Sequence, residues 1–235
     1  NLLVRDGGIR GLVLRISGGL NAIRREGDCL LVQAGASLAA VAAFARDEGL
    51  SGMAELGGIP GTVGGGVLMN AGAYGAELAQ LVTQAEGVSL SDGRRVVYPA
   101  DRLDFAYRHS ALMDAGVVIT QATLALTPGD PEAIRARMEE CAKARREKQP
   151  LTLPSAGSTF KRPEGHFAAK LIDDCGLRGL TVGGAQVSEK HAGFIVNIGG
   201  ATARDMLELM RQVEQRVFEQ TGVQLEPEVR ILGED

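Results

Sequence analysis

Residues 57–75 read G-G-I-P-G-T-V-G-G-G-V-L-M-N-A-G-A-Y-G, and eight of these nineteen positions are glycine. Each glycine removes a Cβ from backbone that must turn sharply or let something approach closely. Ile59-Pro60-Gly61-Thr62 is turn chemistry: Pro60 fixes φ, and Gly61 is free to take a positive one. No Lys or Arg occurs from position 47 to position 93. An anion bound by this stretch would therefore be held by main-chain N–H groups and helix dipoles, not by local cations. Two familiar phosphate loops are absent, since there is no G-x-x-x-x-G-K-[ST] and no G-x-G-x-x-G leading from a strand into a helix. Glycine content alone favours a plain turn between strands.

The surrounding chain has 235 residues, 45 % apolar and 23 % charged. This is ordinary globular composition, with room for one large core or two modest ones. A net charge of −4 offers no basic stripe to nucleic acid, and the lack of tryptophan argues against base-stacking platforms. Cys29, Cys141 and Cys175 are odd in number and far apart, which suits reduced thiols in a cytoplasmic protein better than a disulfide framework. His109, His166 and His191 do not cluster with cysteines at ligand spacing, so no metal site is expected. No apolar run reaches membrane-spanning length, and a monomer is expected. Residues 1–4 read as a strand with no start signal, so further chain is expected before them.

Outward from the glycine stretch, apolar runs punctuated by glycine predict strands at 2–4, 12–16 and 30–33. Ser37 caps a predicted helix to about residue 48, with Leu38, Val41, Ala42 and Ala45 on its apolar face. Residues 82–126 are rich in strand signals, with Ser91-Asp92-Gly93 as a hairpin turn and 117–126 as a long β-branched strand. Pro128-Gly129-Asp130 is the predicted domain boundary. Asp130 then caps a helix to about residue 148, and its basic end, 143–148, reads as a solvated last turn complementing the helix dipole. A short helix is expected at 167–175 and a strand at 194–198. Thr202 and Asp205 form a T-x-x-D capping box for a helix to about 220, and a final strand follows at 229–232. The fold class is α+β in two domains, 1–128 and 129–235.

Five segments recur in a fixed order: the glycine stretch, Y-R-H-S at 107–110, S-A-G-S-T-F-K-R-P at 155–163, G-G-A-Q-V-S-E-K-H-A-G-F-I-V-N at 183–197 and E-P-E-V-R at 226–230. Singly each is weak. On its own Arg108 fits a surface ion pair, Ser158 a turn residue and Glu228 a strand-edge carboxylate. In this order the set resembles the UDP-N-acetylenolpyruvoylglucosamine reductases, over the whole chain. The resemblance implies a vanillyl-alcohol-oxidase-type FAD-binding domain, here without its first half-unit, followed by a smaller α/β substrate-binding domain whose last strand, 228–232, returns toward the flavin. The Gly-x-Gly-Ser that precedes N-L-L-V in that family is not in this sequence, so FAD retention by these residues alone is expected to be weak. Only about one helix separates Arg108 from Ser158, which resembles the shorter class without a tyrosine-bearing lid insertion.

The implied reaction uses FAD and NADPH to reduce the enolpyruvyl double bond of UDP-N-acetylglucosamine enolpyruvate, giving UDP-N-acetylmuramate. Hydride goes to the β-carbon, negative charge builds on the α-carbon and carboxylate, and a proton must arrive there. Carried over by motif, Arg108 is the carboxylate-binding cation, Ser158 the proton donor and Glu228 a second acidic group. Asn1, Leu2, Gly57, Gly58, Ile59, Pro60, Gly61, Thr62, Gly65, Gly66, Asn70, Gly72, Tyr74, Gly75 and Arg230 are the implied FAD contacts. Tyr74, Arg108, Gly157, Ser158, Lys161, Arg162 and His191 are the implied substrate contacts. Arg162 departs from the K-N-P pattern common in the family, which loosens the inference for that position. Other expectations stay open: another FAD-dependent oxidoreductase of the same fold, or a non-catalytic flavin- or UDP-sugar-binding protein.

Overall fold

The computed structural model describes residues 1–16 and 18–235. The chain forms two compact units, residues 14–145 and a split unit made of 1–13 with 146–235.

In the 14–145 unit, short alternating runs pair into a five-stranded antiparallel sheet. Its spatial order is Ile23–Glu26, Cys29–Gln33, Val117–Ala125, Val82–Ser89 and Arg95–Pro99. The long β-branched strand lies at its centre, with Ile119, Ala122 and Leu124 buried. The pairing of Val82–Ser89 with Val117–Ala125 slips between Glu86 and Gly87, where a Cβ on Gly87 would lie 2.4 Å from Val117 Cγ1. Helix α1, Leu38–Asp47, starts at Ser37, whose hydroxyl accepts from Ala40 N, and buries Leu38, Val41, Ala42 and Ala45. Helix α2 is Val63–Leu68, capped by Thr62. Helix α3, Pro131–Lys148, starts at Asp130, whose carboxylate accepts from Glu132 N and Ala133 N. Leu30, Leu38, Leu50, Leu56, Leu78, Leu103 and Leu124 are fully buried in one cluster, each worth about 1.5–3 kcal/mol of transfer free energy.

In the split unit, Ser155–Ser158, Phe194–Asn197, Ala185–Val187 and Thr181–Val182 form a four-stranded antiparallel sheet in that order. Leu2–Val4 and Arg230–Leu232 form a separate parallel pair. Helix α4, Ala168–Asp174, and helix α5, Ala203–Thr221, share a core with Val187, through Ile172, Leu209, Val213 and Val217. The T-x-x-D box is formed in both directions: Asp205 N donates to Thr202 Oγ1 at 3.1 Å and Thr202 N to Asp205 Oδ2 at 3.0 Å. Asp6 caps the same helix from far away in the chain, accepting from Ala203 N at 2.7 Å and Arg204 N at 3.0 Å. The first donors of α5, which have no intrahelical partner, are thereby satisfied.

Two expectations need correction. Residues 12–16 form no strand; Leu12, Val13 and Leu14 are 65–85 % exposed, and periodicity alone could not show that. The compact units divide at 13/14 and 145/146, not at 128. The physical reason is that most of α3 packs with the 14–145 unit, through Ile134, Met138 and the Arg137–Glu55 pair, whereas 1–13 pair with the C-terminal segment. The glycine stretch contains α2 and the hairpin of Gly72–Ala73 with Ala76–Glu77.

Candidate functional site

The glycine stretch sorts into two kinds of glycine. Gly57, Gly64 and Gly66 are packing glycines: a Cβ there would lie 2.6 Å from Ala42 Cβ, 2.8 Å from Ala34 Cβ and 2.8 Å from Leu78 Cδ1. Their amides are also spent, Gly57 N on Met53 O, Gly64 N on Ala34 O and Gly66 N on Thr62 O. Gly61 and Gly65 are open. A Cβ on Gly61 would meet nothing within 4 Å, and one on Gly65 only Thr62 Oγ1 at 3.7 Å. Ile59 N bonds to Leu56 O and Gly65 N to Thr62 Oγ1. Among the described residues, the N–H groups of Gly58, Gly61 and Thr62 have no protein acceptor. Three donors on an exposed, side-chain-poor loop fit a pyrophosphate, the group a flavin dinucleotide would present there.

This loop is tied to the one carrying Arg108. Asn70 is completely buried; its amide donates to Ala106 O at 3.0 Å and its Oδ1 accepts from Ala79 N at 2.8 Å. It holds the loop. Ser110, also completely buried, donates to Leu68 O at 2.6 Å. Arg108 Nη2 donates to Gly72 O at 3.2 Å, and its guanidinium lies 4.9 Å from the Tyr107 ring centroid. Among the described residues, the non-glycine positions with positive φ are Asn70, Tyr74, Asp104 and Arg108, at 42–55°. All four sit in these two joined loops. Left-handed backbone is costly for residues as large as Tyr74 and Arg108, and such strain concentrates where a side chain must be aimed. Tyr74 is 40 % exposed, and Gly75 follows at φ 87°.

In the split unit the sequence candidates converge on adjoining extended segments. Ser155 pairs with Val196 and Ser158 with Phe194, so the strand carries an extra residue between them. Gly157, at φ 87°, accommodates this bulge, and bulges of this sort re-aim the next side chain. Ser158 is exposed, while its neighbour Thr159 is 3 % exposed and anchored, giving N–H to Gly193 O and accepting at Oγ1 from Ile195 N. Glu228 N donates to Thr159 O at 2.8 Å and Lys161 N to Glu226 O at 2.8 Å, which sets Glu228 across from the Ser158 loop. Arg230 N donates to Asn1 O, and Leu2 pairs with Arg230. Asn1, Leu2, Ser158, Glu228 and Arg230 are thus brought onto neighbouring segments.

Lys161 forms an exposed ion pair with Glu226 at 3.1 Å, weak enough to be exchanged for a phosphate. The Arg162 guanidinium stacks 3.9 Å from the Phe167 ring centroid. His191 Nδ1 accepts from Gly193 N at 3.1 Å, and its ring meets Phe194 edge-on. Burial lowers its pKa from the ordinary 6.5, so the imidazole is neutral near pH 7. It lines a groove of about 410 Å³ with Lys148, Lys170, Arg178 and Lys190, but Lys170 and Arg178 are answered by Asp174 and Asp173.

Sequence reasoning missed Arg145. The basic end of α3 is not simply a solvated turn: Arg145 Nη1 donates to Gly58 O. Only its spacing along the helix from Arg137 and Cys141 could have suggested an inward position. Thr159 and Ser110 lay inside quoted motifs, but nothing in the sequence distinguished their anchoring from a ligand contact.

Comparison with known proteins places these features in a family context. The model of the FAD binding domain matches residues 1–98, and that of the UDP-N-acetylenolpyruvoylglucosamine reductase C-terminal domain matches residues 149–232. Among curated proteins, the chain is similar to the UDP-N-acetylenolpyruvoylglucosamine reductases of Pediococcus pentosaceus and Levilactobacillus brevis. Each is 50 % identical over 235 residues, covering all of this chain and 78 % and 77 % of the relatives. The crystal structure of UDP-N-acetylenolpyruvylglucosamine reductase from Thermus caldophilus matches with a TM-score of 0.85 at 41 % identity, over 98 % of this chain and 82 % of that one.

Proposed function

The chain belongs to the UDP-N-acetylenolpyruvoylglucosamine reductase family, and from that premise we propose how its residues divide the work. It is an FAD-binding oxidoreductase that reduces the enolpyruvyl group of UDP-N-acetylglucosamine enolpyruvate in peptidoglycan precursor synthesis, with NADPH as the family's co-substrate. FAD, when bound, would supply the hydride chemistry.

The residues of this chain handle position, charge and the proton. Gly58, Gly61 and Thr62 offer N–H donors to the cofactor pyrophosphate. Arg108, fixed by its left-handed backbone and its bond to Gly72 O, holds the substrate carboxylate and strengthens that hold as negative charge develops. Ser158 delivers a proton to the α-carbon. A serine hydroxyl is a poor acid on its own, and Glu228, across from the Ser158 loop, steadies the hydroxyl or the water that replenishes its proton. Lys161 and Arg162 receive the UDP phosphates, with His191 as a neutral neighbour. The reading also includes a monomer acting in the cytoplasm; among the described residues no helix is long and apolar enough to cross a membrane.

The observation that carries the assignment of Ser158 is the Gly157 bulge, which re-aims the exposed Ser158 next to anchored Thr159 and beside the Glu228 segment. The two half-reactions test it. Flavin reduction by NADPH needs no proton at the α-carbon, so Ser158→Ala should show a near-normal rate in stopped-flow absorbance. Flavin reoxidation by the enolpyruvyl substrate needs that proton and should slow by about 10²–10⁴-fold. Ser158→Cys should recover part of the loss. Unimpaired reoxidation in the alanine variant would assign the acid to another group.

A further inference from the structure

Helix α3 places two arginines against the segment that leads into the glycine cradle, and they are treated differently. Arg137 is fully answered: Nε donates to Glu55 Oε1 and Nη1 to Glu140 Oε2, both at 2.7 Å. Arg145, eight positions on, is half-buried and has no carboxylate partner among the described residues. Nη1 donates to Gly58 O. Its Nε is shut off from solvent without any acceptor. The guanidinium lies so close over Gly58 that a Cβ there would sit 3.4 Å from Nε and 3.6 Å from Cζ. A partly desolvated cation with an orphaned donor is costly unless an anion completes it.

Gly58 is itself exposed and is the first of the three cradle residues with an unpaired N–H. The stretch from 47 to 93 has no cation of its own. We propose that Arg145 supplies that missing charge as a ligand for a nucleotide pyrophosphate at the Gly58–Thr62 end of the cradle. The proposal rests on the functional reading above and deepens it. A guanidinium suits the task because its planar set of donors lets Nη2 turn to a phosphate oxygen while Nη1 stays on Gly58 O. Two ligands carry this group, the dinucleotide cofactor and the UDP-linked substrate.

The test compares Arg145→Gln and Arg145→Lys in the full protein freed of flavin. Glutamine can still donate to Gly58 O but carries no charge; lysine keeps the charge without the fork. Flavin fluorescence gives the Kd for FAD and for riboflavin, which lacks the pyrophosphate, and KM for the UDP-linked substrate is measured at saturating FAD. Arg145→Gln should weaken FAD roughly 10- to 100-fold, leave riboflavin affinity and the melting temperature of the flavin-free protein unchanged, and Arg145→Lys should recover part of the loss. A comparable rise in substrate KM with unchanged FAD affinity supports the same chemistry with the UDP pyrophosphate as the ligand. If neither changes, or if riboflavin affinity falls as far as FAD affinity, Arg145 is only a latch on the loop and the proposal is overturned. Should Arg145→Gln not fold, the ratio of FAD to riboflavin affinity in Arg145→Lys decides: a fall supports the proposal and an unchanged ratio overturns it. Failure of the wild-type protein to bind FAD would be a different result, sinking the functional reading and this proposal with it.

Discussion

Gly65 and Gly66 are neighbours in a run of three glycines, yet they do opposite jobs. Gly66 turns inward, where a Cβ would meet Leu78 at 2.8 Å and Leu38 at 3.5 Å, while Gly65 turns outward into open space. Gly66→Val should therefore act through packing, destabilising the flavin-free protein by about 1–3 kcal/mol, and any lost flavin would follow from that. Gly65→Val should leave the flavin-free melting temperature nearly unchanged and weaken FAD by about tenfold or more, because the side chain occupies the approach to the cradle. Thermal melts paired with FAD titrations separate the two effects; normal FAD affinity in Gly65→Val would remove the outer face of the cradle from the cofactor site. The sequence made the glycine density legible but could not tell a packing glycine from a ligand-facing one, because that depends on Leu78, Ala34 and Ala42 arriving from elsewhere. For the same reason the bracing bonds of buried Asn70 could not be foreseen, and the end of α3 that holds Arg145 reads as solvent-facing. Arg108, Ser158 and Glu228 stood out through motif order, not through any property of the three residues themselves.

Elements with strong local signals formed where their signals lay. Ser37 starts α1, Asp130 starts α3, and the Thr202–Asp205 box starts α5. Helix α2 was invisible because Val-Gly-Gly-Gly is poor helix sequence, glycine costing nearly 1 kcal/mol each relative to alanine. Tertiary contacts outweigh that cost: Val63 N and Gly64 N bond to Ala36 O and Ala34 O, and Thr62 closes the first turn. The run at 12–16 failed in the opposite sense, with apolar residues but no partner strand. Asp6 could not be foreseen either, being 197 positions from the α5 amide it caps. Asp6→Ala should cost about as much as Thr202→Ala, on the order of 1 kcal/mol each. Urea unfolding followed by a probe in the split unit measures both. An Asp6→Ala midpoint equal to wild type would show that the long-range cap contributes nothing beyond the local box.

The fold class was readable from strand and helix signals in order, but the division of the molecule was not, because segment 1–13 belongs with residues that come last. Leu2–Val4 lies parallel to Arg230–Leu232, Arg5 N bonds to Leu232 O, and Gly7 and Gly8 exchange main-chain bonds with Glu234. Parallel pairing of segments this remote carries a large loop-closure cost before any contact repays it. During translation the consequence is a queue. Arg5 must wait for Asp235, 230 positions later, which at ordinary elongation rates is on the order of 10–50 s. Through that interval the 14–145 unit can complete, whereas Leu2–Val4 lacks its parallel partner Arg230–Leu232. Brief proteolysis of ribosome-bound chains stalled at residue 200 should cut within 1–13 and spare 14–145, and protection of 1–13 should appear only once residues 226–235 have left the ribosome. Early protection of the opening strand would mean that something other than the C-terminal segment holds it first.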